Sequence, residues 1–316
     1  MSKLITLLVP AYNEQDVLEL FYRETCIVLN KIDRIKYNFE FLFINDGSND
    51  NTINIIKSLR LGDSRVCYID LSRNFGKEIA LTAGFDFIKK ESRAVIIIDA
   101  DLQHPPRLIP EMIELWEKGN QDVYAKRYDR NDESFSKRIF SKLYYHILNK
   151  LSEEEIQTNI GDFRLLDRKI INAFSQIKES QRYNKGLFTW VGFKKAYIEY
   201  DIEKRKAGTT KWSFTKLLNL AIEGITSSSI RPLRLASFTG LIVSGIAFIW
   251  LMKVLIKTLF FNESVPGYPS LIITVLFLGG IQLLSLGLIG EYLGRVFKET
   301  KNRPLYFVNE KATNEK

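Results

Sequence analysis

The chain predicts an α/β fold: a doubly wound, mostly parallel sheet with flanking helices, followed by apolar helices at the C-terminal end. Three observations predict it. Short apolar runs alternate with segments of helical periodicity as far as Ala125, the pattern of strands joined by crossover helices. Several of these runs end in acids, and in open α/β sheets ligands sit outside the carboxyl ends of the strands. The last third holds two long uncharged stretches of the kind that cross a bilayer.

The elements follow in order. Leu4 to Val9 reads as a first strand, broken by Pro10 and followed by Ala11-Tyr-Asn-Glu14; a helical pattern then runs from about Glu14 to Lys31. Tyr37 to Ile44 is a second strand ending in Asn45-Asp-Gly-Ser48, a turn that can also cap the next helix. Val66 to Leu71 is a third, followed by Ser72-Arg-Asn-Phe-Gly-Lys77 and a helix near Glu78 to Lys89. Ala94 to Ile98 has the composition of a strand buried on both faces. It runs directly into Asp99 and Asp101, and Pro105 and Pro106 open a helix to about Lys118. Asp122 to Ala125 is a further strand. Asp129 to Ser136 is a polar loop, and Lys137 to Leu151 an amphipathic helix. Asn159 to Arg168 reads as a compact polar cluster between helical segments, and Tyr197 to Ile202 as a strand. Glu203 to Trp212 is a basic loop, and Phe214 to Ile225 has the apolar spacing of a helix lying at a membrane interface.

Leu235 to Met252 and Ser264 to Gly290 carry no charge, so two transmembrane helices are expected. Arg231 and Arg234 precede the first, and Arg295, Lys298, Lys301 and Arg303 follow the second. The connection from Asn262 to Ser270 has neither Lys nor Arg. The positive-inside rule then puts the N-terminal domain and the C-terminal tail in the cytoplasm. The expected organisation is a catalytic domain over 1–212, an interface helix over 213–234, two spans over 235–294 and a tail over 295–316.

Composition narrows the function. With 316 residues, 46% of them hydrophobic, the chain can build one full domain plus extra elements. The net charge of +8 fits an anionic membrane surface better than nucleic acid, given the apolar runs. Cys26 and Cys67, both in apolar settings, imply no disulfide framework and suit a reducing compartment. No signal-peptide pattern opens the sequence. With only His104 and His146 present, a zinc site built on histidines is disfavoured.

Asp99 and Asp101 form the focal pair. Two acids one residue apart repel unless a cation sits between them and a ligand; the duller role is capping the helix that follows. Glu14 and Asp46 add acids beyond the first and second strands, although Asp46 is also ordinary turn chemistry. Tyr12 is either a base-stacking platform or a packing residue. Arg73 and Lys77 either reach phosphates or start a solvated helix. The turn after the first strand lacks the glycines of a dinucleotide-binding domain, and no Walker A loop is present. The site is built for a nucleotide whose phosphates are held by a metal.

Val9-Pro-Ala-Tyr-Asn-Glu14, Asn45-Asp-Gly-Ser48, Ser72-Arg-Asn-Phe-Gly-Lys-Glu78 and Asp99-Ala-Asp-Leu-Gln103 resemble the family 2 glycosyltransferases of the GT-A, Rossmann-like fold. Gly161-Asp-Phe-Arg-Leu165, Arg205-x-Ala-Gly-x-x-Lys211 and Arg231-Pro-Leu-Arg-Leu235 narrow the resemblance to the polyprenyl-phosphate branch, which includes bactoprenol glucosyltransferases and dolichyl-phosphate mannose synthases. It covers Leu4 to about Lys301.

The resemblance implies inverting transfer of a hexose from a nucleotide-sugar to polyprenyl phosphate on the cytoplasmic leaflet of a multi-pass membrane protein. UDP-glucose is the leading donor; mannose or an amino sugar is the alternative. Pro10, Tyr12, Glu14 and Asp46 match nucleotide-binding positions, and Asp99 and Asp101 the motif that binds Mg²⁺ or Mn²⁺ with the diphosphate. Asp162 matches the proposed base, and Arg205 and Lys211 match phosphate-binding positions. Homotetramers, a flippase and a downstream glycosyltransferase are the partners the family implies. Two departures stand out: His104 stands where many members of the family carry an acid after Leu-Gln, and Lys185 where they often have an arginine before Gly-Leu-Phe, a position at which lysine cannot make a bidentate phosphate contact.

A phosphate acceptor is largely ionised at pH 7, so Asp162 acts as a base, orients the acceptor, or pairs with Arg164, which is itself expected to contact substrate. A membrane-anchored binding subunit that does no chemistry is a rival reading, weakened by the intact set of Asp99, Asp101 and Asp162. A processive synthase is a second, weakened by the missing Gln-x-x-Arg-Trp motif.

Overall fold

The computed structural model describes residues 2–127, 160–177, 179, 182, 184–200, 231–261 and 267–314. The expected helix over 137–151, the basic loop with Arg205 and Lys211, and the interface helix up to residue 230 lie outside the described residues. The chain divides into two compact units. One comprises residues 1–145, 154–214 and 303–316; the other comprises 146–153 and 215–302.

In the first unit, the described strands form one sheet: β1 (Lys3–Ala11), β2 (Tyr37–Asn45), β3 (Val66–Leu71), β4 (Ser92–Ile97), β5 (Asp122–Arg127), β6 (Ile160–Asp167), β7 (Lys195–Tyr200) and β8 (Val308–Ala312). Their order across the sheet is β7-β5-β6-β4-β1-β2-β3-β8. β1 runs parallel to β2 and β4, β2 to β3, and β5 to β7. β6 runs antiparallel to both its neighbours, and β8 is antiparallel to β3.

The apolar runs are strands because both faces of the sheet are covered. Ile5, Leu7 and Val9 of β1 point into one core with Phe41 and Phe43 of β2. Helices α1 (Leu18–Leu29), α2 (Thr52–Gly62) and α4 (Ile109–Glu117) pack there through Phe21, Ile56 and Met112. Leu8, Ile44, Ile69 and Ile97 point the other way, against α3 (Lys77–Asp86) and the helices Arg168–Phe174 and Asn184–Trp190. Phe85, Phe174 and Phe188 meet on that side, the last two stacked with ring centroids 4.6 Å apart. The result is the α/β, mostly parallel architecture expected of a GT-A domain.

Three local features depart from the sequence reading. First, α1 begins at Leu18 instead of about Glu14, because Asn13, Glu14 and Gln15 bond across to the loop after β2. Second, the expected polar cluster at 159–168 is in fact β6. Phe163, Leu165 and Leu166 are fully buried, but Asp162, Arg164 and Asp167 break their apolar pattern. Third, residues 308–312 form an edge strand of polar composition, Val-Asn-Glu-Lys-Ala, whose pairing with β3 makes it β.

The second unit contains the helices Arg231–Phe261 and Tyr268–Thr300. Among the described residues, Ser270–Thr300 is long and apolar enough to cross a membrane, while the apolar stretch Ala236–Trp250 in the first helix is shorter. Large apolar side chains stand out along both helices, among them Leu241, Ile249, Leu283 and Leu284, each at least 70% exposed.

Candidate active site

The site grows from the carboxyl ends of β1, β2 and β4. The loops after β1 and β2 are laced together: Asn13 N donates to Ser48 Oγ (3.0 Å), Asn49 N to Asn13 Oδ1 (2.9 Å) and Glu14 N to Thr52 Oγ1 (2.9 Å). Asn13 sits at φ +55°, a left-handed conformation that asparagine tolerates better than most residues. Tyr12 is 41% exposed beside this lacing, and Pro10, at the end of β1, is half-buried.

Asp46 is buried at the end of β2 and accepts hydrogen bonds from Phe75 N (2.8 Å) and Gly76 N (2.9 Å). It therefore fastens the loop that leads into α3. Burial pushes its carboxyl above the ordinary aspartate range, against the pull of those two amides. Beside it Gly47 has φ +63°, and a Cβ there would lie 2.2 Å from the Arg73 carbonyl carbon. Only glycine lets the two loops touch. Arg73 remains exposed, its guanidinium 4.1 Å from the Phe75 ring centre.

Fastening that loop fixes Lys77, the first residue of α3. Its Nζ lies 2.7 Å from Asp99 Oδ1 and 2.6 Å from Asp162 Oδ2. Burial alone would lower this ammonium, but the two carboxylates raise it well above the ordinary lysine range. The antiparallel ladder explains why the acids converge. β4 pairs with β6 so that Ile97 faces Arg164. Continuing this register two residues past the end of β4 sets Asp99 opposite Asp162. Asp101 lies in the turn beyond, where its Oδ1 accepts from Gln103 N (3.0 Å). It does not cap a helix. Leu102 between them has φ +59°, a conformation that costs a leucine about 1–2 kcal/mol and marks strain beside the acids.

His104 is 3% exposed, with Nδ1 3.5 Å from Asp99 Oδ2. Its ring lies 5.4 Å from Phe163 and 6.3 Å from Tyr200. A Cβ on Gly161 would come within 3.1 Å of its Nε2, so the glycine of the Gly-Asp-Phe-Arg-Leu segment makes room for this imidazole. Arg164 is not brought to Asp162. Its guanidinium pairs with Asp122 (3.2 Å) and stacks 4.0 Å from the Phe188 ring centre, with both charged partners buried. It ties β6 to β5 below the site, and burial raises the Asp122 carboxyl despite the arginine. The backbone of Lys185 lies in the helix Asn184–Trp190, whose first amide donates to Glu78 Oε2 (3.0 Å).

Among the described residues, no group of three or more His, Cys, Asp or Glu side chains is arranged to hold a metal by protein ligands alone. Asp99 and Asp101 still fit a hard divalent ion, which takes one or two carboxylates and completes its shell with substrate oxygens and water. The pull of Asp99 and Asp162 on the Lys77 ammonium shows that a cation is favoured at this place.

Sequence reasoning overlooked Asp70 and Asn309. Asp70 accepts from Asn45 Nδ2 (2.6 Å) and from Asn309 Nδ2 (2.8 Å) of the C-terminal strand. No local pattern signals a partner more than 200 positions away.

Comparison with known proteins agrees with this geometry. Residues 6–174 match the family described as Glycosyl transferase family 2. An uncharacterized glycosyltransferase of Synechocystis is 44% identical, over 97% of this chain and 95% of its own. A prophage bactoprenol glucosyl transferase homolog of Escherichia coli is 43% identical, over 96% of this chain and 98% of its own. The bactoprenol glucosyl transferase of Shigella phage SfII is 43% identical, over 96% and 97%. A match of this extent, on a mostly parallel sheet whose strand ends gather Asp46, Asp99 and Asp162, is decisive: this chain is an enzyme belonging to the family 2 glycosyltransferases.

Proposed function

We propose that this glycosyltransferase moves a hexose, glucose from UDP-glucose in the first place, onto undecaprenyl phosphate or a similar polyprenyl phosphate, with inversion, at the cytoplasmic face of the membrane. The observation that carries the chemistry is the convergence of Asp99 and Asp162 on one cation at the open end of the sheet. The lipid acceptor is inferred from the bactoprenol relatives, which match over nearly all of both chains. It is also supported by two helices clothed in exposed apolar side chains, which bilayer tolerates and water does not. Both helices are read as spans that anchor the catalytic unit.

The donor nucleotide lies over the laced loops, with Tyr12 as the stacking platform and Glu14 and Asp46 closing the pocket around it. Asp99 and Asp101 would hold Mg²⁺ or Mn²⁺, which when bound neutralises charge on the diphosphate as it departs. Lys77 brings a fixed positive charge to the same junction. The acceptor phosphate is already largely ionised near neutral pH. Asp162 therefore has little proton to remove, and its main task is to orient the acceptor, with Lys77 holding its carboxylate in place. Arg205 and Lys211, in the basic loop before the membrane segments, are suited to hold the lipid phosphate at headgroup level.

The test is a donor panel. Protein in detergent is incubated with polyprenyl phosphate and radiolabelled nucleotide-sugars, with and without Mn²⁺. Chloroform-soluble label from one donor is expected, lost with EDTA and reduced at least a hundredfold by Asp101→Asn. A mannose or amino-sugar donor would replace glucose in the reading. Label in a water-soluble polymer, or label insensitive to EDTA, would overturn it.

A further inference from the structure

β8 follows the helix Tyr268–Thr300 in sequence and lies at the edge of the catalytic sheet, beside β3. Its ladder with β3 is irregular: Asp70 pairs with Glu310 but Leu71 with Val308, so Asn309 is the extra, bulged residue. Bulges re-aim side chains, and here the carboxamide of Asn309 reaches Asp70 Oδ2 at 2.8 Å. Asp70 is 8% exposed and Asn45 1%. From there the bonds continue. Asn45 Nδ2 donates to Asp70 Oδ1 (2.6 Å), Ser48 Oγ donates to Asn45 Oδ1 (2.5 Å), and Asn13 N donates to Ser48 Oγ (3.0 Å). The chain of polar contacts thus runs from the C-terminal strand to the residue next to Tyr12.

A second set of contacts reaches the other loop of the site. Ser72 N donates to Phe307 O (2.9 Å) at the start of the segment that leads to Lys77. Tyr306 Oη donates to Asp86 Oδ2 (2.8 Å) at the far end of α3. Both loops that frame the proposed donor pocket are therefore held from the same C-terminal segment. Other contacts of β8, Glu310 with Lys57 (2.5 Å) and with Tyr68 (2.6 Å), join the strand to α2 and to the middle of β3 and involve neither loop.

We infer that the C-terminal strand is a working part of the donor site, with Asn309 a positioning residue that sets the nucleotide-binding loops through Asp70, Asn45 and Ser48. The pocket is completed only when the chain has returned from its apolar helices to the sheet. This inference rests on the reading of the pocket as a nucleotide site.

The experiment uses the full chain in detergent, with UDP plus Mn²⁺ as the binding probe and hydrogen exchange of residues 11–17 and 45–52 as a readout independent of any ligand. Asn309→Asp sets two carboxylates face to face; Asp70→Ala removes the acceptor from both Asn45 and Asn309. Each single variant should weaken UDP about tenfold, raise the donor KM more than it lowers kcat, and speed exchange in both loops. The double variant Asp70→Asn/Asn309→Asp restores an acceptor–donor pair with its polarity reversed, and should recover UDP binding to within about threefold. Glu310→Ala controls for the strand: it should lower Tm while leaving UDP binding and loop exchange unchanged. Exchange unchanged in Asn309→Asp, no recovery in the double variant, or an equal loss of UDP in Glu310→Ala would each overturn the inference. Failure of the wild-type chain to bind UDP, with exchange responding as described, would instead overturn the nucleotide reading of the pocket and with it the donor role of Asn309.

Discussion

Replacing Lys77 by methionine keeps the aliphatic stem and removes the charge that Asp99 and Asp162 share. Two contacts at 2.7 and 2.6 Å are each worth about 1.5 kcal/mol at the dielectric of water. The lysine side chain is 39% exposed, and holding it in place costs rotamer entropy, so the net contribution is about 1–2 kcal/mol. Lys77→Met should therefore lower Tm by a few degrees. The same charge competes with any divalent ion for Asp99. Without it, Mn²⁺ binding in the absence of nucleotide should tighten about tenfold, equivalent to roughly 1.4 kcal/mol, and added Mn²⁺ should restore much of the lost Tm. Transfer to the lipid should fall nonetheless, because the diphosphate loses a fixed cation. Calorimetric titration with MnCl₂ and thermal unfolding with and without the ion check both parts. Mn²⁺ affinity that is unchanged or weaker in Lys77→Met would show that the ammonium does not stand where the ion binds, and the reasoning would fail.

Two further outcomes follow from the same geometry. Gly47→Ala forces a left-handed alanine whose Cβ would lie 2.2 Å from the Arg73 backbone, so a loss of about 2–4 kcal/mol and a raised donor KM are expected; a Tm within a degree of wild type would contradict this. Burial would raise the Asp63 carboxyl, but its bonds to Arg65 and Tyr22 outweigh that and bring it down to about 2. Because the folded value lies below the unfolded one, its contribution of about 2 kcal/mol is present above pH 4 and lost as pH falls towards 2. Asp63→Asn should flatten that part of the Tm-against-pH curve, and an unaltered slope would refute the assignment.

The strands of the parallel core were legible because each is a short run rich in β-branched, aromatic or other apolar residues, buried on both faces. β1, β2 and β3 lie within a residue or two of their expected limits. The acids at their ends were legible for the same reason, since a strand end marks the site edge. β6 was not, because Asp162, Arg164 and Asp167 look solvated until Lys77, Asp122 and Trp116 are found beside them. Arg164 was read as a substrate contact or a partner for Asp162, and its pairing with Asp122 depends on the antiparallel placement of β5 against β6. β8 is too polar to be told from a tail.

The order of residues alone determines the alternation of strand and helix, the family motifs and the apolar C-terminal segments, because these depend on composition and spacing within a few turns of chain. Tertiary structure decided which acids meet. Asp99 and Asp162 are 63 positions apart in sequence and become neighbours only through the register of β4 on β6. Asn309 enters the site only through an edge pairing with β3. Charge–charge and hydrogen-bond energies fall off over a few ångströms, so they act on groups the fold brings together, however far apart they lie along the chain.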